Sequence, residues 1–182
     1  QGVTEVALDT PFGAPSDAYI VGELPEEGVR LAFLPRHGRG HRFLPGEVNY
    51  AANIHGLKQL GAEFVLSVSA VGSMREDIAP LDMVLVDQFI DLTRKREGSF
   101  FGDGVVGHVQ FGRPTCDHLR PLVVAAARES GATVHDGGTC IVMEGPAFST
   151  RGESELYRSW GASVIGMTAQ GVARIRMEIL GR

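Results

Sequence analysis

The chain is poor in the features that mark whole classes of protein. It carries only two cysteines, Cys116 and Cys140, in 182 residues. That is too few for a disulfide framework, and the spacing is not that of zinc ligands, so both are expected to be reduced, buried thiols. No apolar run approaches the roughly 20 residues needed to cross a bilayer. The first residues also lack the charged-then-apolar order of a signal peptide, so a cytoplasmic protein without membrane contact is expected. Excess positive charge is missing: 17 basic against 22 acidic residues give a net charge of −5. Nucleic acid and anionic membranes therefore have no global attraction for this chain, and any anion site must be local. Repeats, low-complexity tracts and linker-like stretches are absent. So are a P-loop, a dinucleotide-binding glycine fingerprint and a G-x-S-x-G elbow, which takes support from triphosphatase, dehydrogenase and serine hydrolase readings.

What is present is an ordinary globular composition, 43% hydrophobic and 21% charged, expected to form a single domain over residues 1–182 with one continuous core. Short apolar runs predict strands at Thr4 to Leu8, Ala18 to Val21 and Arg30 to Leu34. A helix is predicted from Glu47 to Leu60, stopped by Gly61. The nearly continuous apolar run Glu63 to Ser69 predicts a central parallel strand covered on both faces. Further strands are predicted at Asp82 to Leu92, Thr139 to Met143 and Ser163 to Met167. Helices are predicted at Leu119 to Ser130, Glu153 to Trp160 and Ala173 to Leu180. The alternation implies an α/β fold, a mixed central sheet flanked by helices, to which the β-rich start adds antiparallel members. Ligands in such sheets collect where strands end and helices begin.

One strand exit is unusual. Arg36-His37-Gly38-Arg39-Gly40-His41-Arg42 packs three arginines and two histidines into seven residues of an acidic chain. Glycines let backbone approach a ligand, and guanidinium forks match phosphate or carboxylate oxygens. The alternative is a solvated basic turn. A metal pair at His37 and His41 is disfavoured by the flanking cations, and no metal is expected. A second exit, Ser69-Ala70-Val71-Gly72-Ser73, offers backbone amides and hydroxyls that can cradle phosphate or simply make a tight turn. A third carries Phe148 and Ser149 and a fourth Met167 and Thr168. These could form a flat apolar slot with hydroxyl partners for a base and sugar, or fill core.

Taken together, Arg36 to His41, Pro45, Val48-Asn49-Tyr50-Ala51-Ala52-Asn53 and Ser69 to Ser73 resemble the methylthioadenosine phosphorylase branch of the purine nucleoside phosphorylase family. Asp87-Gln88-Phe89-Ile90-Asp91, Glu144 to Arg151 and Gly166-Met167-Thr168 stand in the same order as in that branch. The resemblance runs from Thr10 to Thr168. It implies phosphate-dependent cleavage of 5'-methylthioadenosine to adenine and 5-methylthioribose 1-phosphate, a pentosyl transfer in purine salvage. Inorganic phosphate is then a co-substrate, with no other cofactor, and the assembly is a homotrimer or hexamer. Carried over by position, Arg36, His37, Ser69, Ala70 and Thr168 would bind phosphate. Met167 would lie under the ribose, Phe148 and Ser149 would face the purine, and His108 would reach a neighbouring subunit's pocket.

The family pattern also includes an N-terminal Gly-Gly-Ser/Thr-Gly turn and, after the Met-Thr block, a strand bearing a catalytic Asp-x-Asp and a C-terminal helix. These N- and C-terminal elements are lacking here, the expected catalytic aspartate among them, and Gly171-Val172 replaces a usual Pro-Glu. Little or no phosphorolysis by the 182-residue chain alone is therefore expected. A phosphorylase for 6-oxopurine nucleosides or methylthioinosine is the alternative substrate reading, but that branch usually carries Glu-Thr where this chain has Ser149-Thr150. A phosphorylase-like remnant without activity is the alternative from another class.

Overall fold

The meander that opens the chain is built from short β-branched and aromatic runs separated by Gly and Pro turns, which favour hairpins over helices. In a computed structural model that describes residues 2–168, β1 (Thr4–Val6), β2 (Tyr19–Leu24) and β3 (Val29–Phe33) pair antiparallel in that order. The three were expected to join the mixed sheet. Among the described residues they pair only with one another, and Val29, Leu31 and Phe33 leave one face of β3 exposed.

Helix α1 (Tyr50–Gln59) begins three residues later than expected because Asn49 caps it: its side chain accepts from Ala52 N–H at 3.0 Å. The same side chain donates to the Phe12 carbonyl at 2.7 Å, tying the cap to the first loop. Tyr19 is fully buried on α1 and donates its hydroxyl to the Asn53 carbonyl at 2.9 Å. Gly56 makes that approach possible, since a Cβ there would overlap the Tyr19 hydroxyl. Val48, Tyr50 and Ile54 form a small core with Phe43, Leu57, Val65 and Phe100 packed against it.

The expected central strand at Glu63 to Ser69 does not form. Residues 64–70 join no ladder among the described residues, and Phe64, Leu66 and Val68 are 45%, 65% and 70% exposed. Only Val65 turns inward, to the α1 cluster. An apolar run makes a central strand when strands flank it on both sides, and among the described residues none does.

The main core is a four-stranded mixed sheet in the order β4 (Gly72–Ser73), β9 (Ala162–Gly166), β8 (Thr139–Val142), β6 (Gln88–Asp91). The β6–β8 and β8–β9 pairs are parallel, and β4 runs antiparallel to β9. Side chains alternate across the sheet with a period of two, apart from an irregularity in β9 opposite Thr139 and Cys140 that puts Ala162 and Ile165 on one face. Cys140, Val142 and Val164 pack with Ile78 on one face, while Ile141, Ala162 and Ile165 pack with Met74 and Tyr157 on the other. Burying each large aliphatic side chain is worth about 1.5–3 kcal/mol, which makes this two-faced core the main stabilising block.

The run read as one strand from Asp82 to Leu92 is two. β5 (Met83–Leu85) pairs with β7 (Val134–Asp136), a strand the sequence pattern did not reveal, and β6 moves on to pair with β8. Between them Asp87 exchanges two bonds with Gly138, N–H to carbonyl at 3.2 Å and carboxylate from N–H at 3.1 Å. Helix α2 (Leu119–Glu129) falls where expected. Helix α3 (Arg151–Ser159) starts two residues early, set by a capping box between Thr150 and Glu153. The helix expected at Ala173 to Leu180 lies outside the described residues. No described helix is long and apolar enough to cross a membrane. Both cysteines are free; Cys140 is buried as expected, but Cys116 is half-buried, its sulfur accepting from Leu119 N–H at the start of α2.

Candidate active site

The basic loop leaves β3 at Pro35 and turns on Gly38 and Gly40, both at positive φ. Its arginines do different things. Arg39 pairs with Glu5 at 2.7 Å and Asp17 at 3.4 Å, and Arg42 reaches the Ser16 carbonyl at 3.5 Å while lying over the Phe43 ring. Both are spent on tying the loop to the meander. Arg36 instead crosses to the second strand exit, donating from Nη1 to the Val68 carbonyl at 3.0 Å and from Nη2 to Ser69 Oγ at 3.1 Å. Its Nε is buried with no partner. Buried polar groups are nearly always satisfied, so an orphaned guanidinium N–H beside a serine hydroxyl marks a place where an anion belongs.

His37 adjoins this point. Its Nδ1–H donates to the Phe43 carbonyl at 2.8 Å, which leaves Nε2 as the free ring nitrogen, and its ring stacks on His41 with centroids 4.3 Å apart. Burial, together with the charges of Arg36 and His41, holds its pKa below the usual imidazole value, against the Phe43 bond. Neutral His37 thus limits the positive charge packed around Arg36 when no anion is bound.

Thr168 is buried at the exit of β9 near Tyr50, whose phenol is pushed up by burial and drawn back by Arg96, Thr168 and Arg36, and whose hydroxyl donates to the Pro45 carbonyl at 3.1 Å. Arg36, Ser69, Tyr50 and Thr168 therefore belong to one neighbourhood drawn from four chain segments. Ala70 follows Ser69 in the extended segment and is exposed. Met167 lies over the exit of β8: Gly145 sits at φ +74°, and a Cβ there would come within 2.7 Å of Met167 Sδ. Ser149 shares a 2.8 Å hydroxyl bond with Ser154 of α3, and Phe148 stands out of the surface, 85% exposed. His108 is exposed in a loop, away from these bonds. Of the expected residues, Arg36 and Ser69 are bonded to each other and Met167 packs at the β8 exit, whereas Ala70, Phe148 and His108 are exposed.

Three residues here were not singled out from sequence: Tyr50, Arg96 and Glu144. Arg96 donates from Nε to Glu144 Oε1 at 3.1 Å, and Glu144 also accepts from Arg94 and Lys95 N–H at 2.7 and 3.0 Å. Those three bonds hold the Glu144 carboxyl below the ordinary glutamate range, the Arg94 amide contributing most. The pairing bridges 48 residues, and only the quoted Glu144 motif could have drawn attention to it. A surface depression of about 440 Å³ lined by Arg75, Asp77 and Arg158 lies elsewhere. Its arginines are exposed and paired with Asp77 and Glu76, and neither has a buried, unpartnered Nε such as those of Arg36 and Arg120. No group of three or more potential metal ligands occurs among the described residues.

This sheet with its convergent strand exits is that of a nucleoside phosphorylase fold, and residues 2–175 match the profile of the Phosphorylase superfamily. The chain belongs to that family. Within it, the chain is 60% identical over 179 residues to S-methyl-5'-thioadenosine phosphorylase of Geobacter sulfurreducens, covering 98% of this chain and 62% of that protein. It is 56% identical to the Synechocystis enzyme of the same name, covering 98% and 55%. A methylthioadenosine phosphorylase structure from an antarctic soil metagenomic library superposes with a TM-score of 0.93 at 45% identity, over 97% of this chain and 62% of the other. The Schistosoma mansoni methylthioadenosine phosphorylase solved with tubercidin gives 0.92 at 34% identity, over 97% and 69%. The chain thus spans about six-tenths of the length of the relatives it matches.

Proposed function

We propose that this chain supplies the phosphate and ribose side of a purine nucleoside phosphorylase whose preferred substrate is 5'-methylthioadenosine. The observation that carries this is Arg36, bridged to Ser69 and half-buried with its buried Nε unpartnered. Phosphate is held there by Arg36, His37, Ser69, Ala70 and Thr168. As the glycosidic C–N bond breaks, the ribosyl carbon gains positive charge, which the adjacent hydrogen phosphate dianion stabilises before its oxygen bonds the anomeric carbon; the proton it gives up ends, overall, on the departing purine. Position and charge do the work, with no metal or organic cofactor, and phosphate is consumed as co-substrate. Met167 underlies the sugar, Phe148 and Ser149 face the base, and His108 completes the pocket of a neighbouring copy in a homotrimer or hexamer. The names borne by relatives at 60% and 56% identity support the aminopurine preference. Reaction and substrate alike suit a cytoplasmic enzyme.

The test substitutes residues 1–182 for the matching portion of the Geobacter sulfurreducens relative. The graft and the unaltered relative are assayed on methylthioadenosine, inosine and methylthioinosine, with and without phosphate. Adenine release that depends on phosphate is expected from the graft. Release without phosphate, a preference for inosine, or a silent graft beside an active relative would each overturn the reading.

A further inference from the structure

Arg96 is 6% exposed, and all five N–H donors of its guanidinium are used. Nε donates to Glu144 Oε1. Nη1 donates to the Tyr50 hydroxyl at 3.4 Å and to the Met167 carbonyl. Nη2 donates to the carbonyls of Met143 at 3.4 Å and Glu144 at 2.8 Å. The group also lies over the Tyr50 ring, 5.6 Å from its centroid. A buried charge is tolerated only when satisfied this fully, and removing one partner leaves the others stranded. Every one of its partners lies on α1, on the exit of β8 or on the exit of β9.

The ladder between those two parallel strands runs as far as Met143 N–H to the Gly166 carbonyl, at 2.9 Å. Immediately beyond that bond the exits separate, and Arg96 joins the Met143 and Glu144 carbonyls of one to the Met167 carbonyl of the other. Gly145, the next residue along the β8 exit, lies against the Met167 side chain. Glu144 in turn holds the loop that carries Arg96 by its amides at Arg94 and Lys95.

We infer that Arg96, with Glu144 as counter-ion, is a positioning residue of the nucleoside half of the site: it sets the separation of the Glu144-to-Ser149 and Met167-to-Thr168 segments and so the slot between them. This rests on the phosphorylase reading above. Of the proposed phosphate ligands only Thr168 follows directly on an Arg96 partner, Met167, whereas Arg36 and Ser69 hold each other, so phosphate capture depends less on Arg96 than sugar and base binding do.

The test compares Arg96→Met, Arg96→Lys and Glu144→Gln with the parent sequence, measuring kinetics in the graft and amide exchange in the full 182-residue chain. In Arg96→Met the KM for methylthioadenosine should rise about tenfold or more, as expected for losing hydrogen bonds to a charged group, with the KM for phosphate moving less than about threefold. Exchange at the Arg94 and Lys95 amides should quicken, and Arg96→Lys, with its three donors, should recover part of both losses. Equal effects on the two KM values, or none on either, would overturn the inference. If Arg96→Met fails to fold, Arg96→Lys and Glu144→Gln decide by the same split. If the parent graft is silent, the functional reading fails, and unchanged exchange at Arg94 and Lys95 would still overturn the positioning role.

Discussion

Arg36 and Ser69, 33 residues apart, are joined by a 3.1 Å bond from guanidinium to hydroxyl, which ties the basic loop to the small-residue exit. The neighbouring arginines have other duties, and that difference can be measured. Arg36→Ala should weaken phosphate about tenfold or more, the loss of a charge-assisted pair, whereas Arg42→Ala should change it little. Phosphate titration of the graft at fixed nucleoside checks this. Equal effects would reduce the loop to a general basic patch.

Gly145 permits the close approach of Met167. Gly145→Ala both forces a side chain into a left-handed backbone and drives a Cβ to 2.7 Å from Met167 Sδ. A cost of about 1–3 kcal/mol is expected, visible as a lowered Tm. The KM for nucleoside should rise more than the KM for phosphate. A Tm and KM equal to the parent's would mean that Met167 yields freely.

Tyr19 gives a pH signature. Its burial on α1 pushes the phenol up to about 12 from 10, so the folded state keeps its proton where the unfolded chain releases it. Stability from this group is complete below pH 10 and is lost as pH rises towards 12, by about 3 kcal/mol for two pKa units. Tyr19→Phe should cost about 1 kcal/mol at pH 7 through the lost bond to Asn53, yet show a shallower alkaline decline. Urea unfolding at pH 8 and pH 11.5 tests the slope, and parallel declines in the two proteins would refute it.

Thr150 and Glu153 cap α3 directly after Ser149. Thr150→Ala should cost about 1 kcal/mol of stability. Because Ser149 bonds Ser154 in the first turns of that helix, the loss should also loosen the loop at Ser149. Faster amide exchange at Glu153 and Ser154 with unchanged exchange in α2 is the expected pattern, and an unaltered first turn of α3 would count against it.

How far residues alone disclosed this molecule depended on how local each determinant was. Thr139–Val142 and Ala162–Gly166 were legible because their own side chains carry a core that covers both faces. The run from Phe64 to Val68 looks just as apolar, yet a strand is made by its neighbours, and these lie outside the residue pattern. Likewise nothing within Asp82 to Leu92 signals the step at Asp87, which is set by Gly138, 51 residues on. At the site, Arg36, Ser69 and Thr168 stood out by type and position. The Arg96–Glu144 pair did not, because five acceptors converging on one guanidinium is a property of the folded chain.

The bond from Arg36 to the Val68 carbonyl ties the arginine proposed to bind phosphate to a stretch of backbone that no ladder among the described residues restrains. Affinity for phosphate and the order of residues 64–70 are then linked quantities. Whatever fixes that stretch spares phosphate the entropic cost of fixing it, and bound phosphate returns the same free energy to the stretch. On the proposed reading, residues 64–70 and bound phosphate are partners in one equilibrium, joined through the Arg36–Val68 bond.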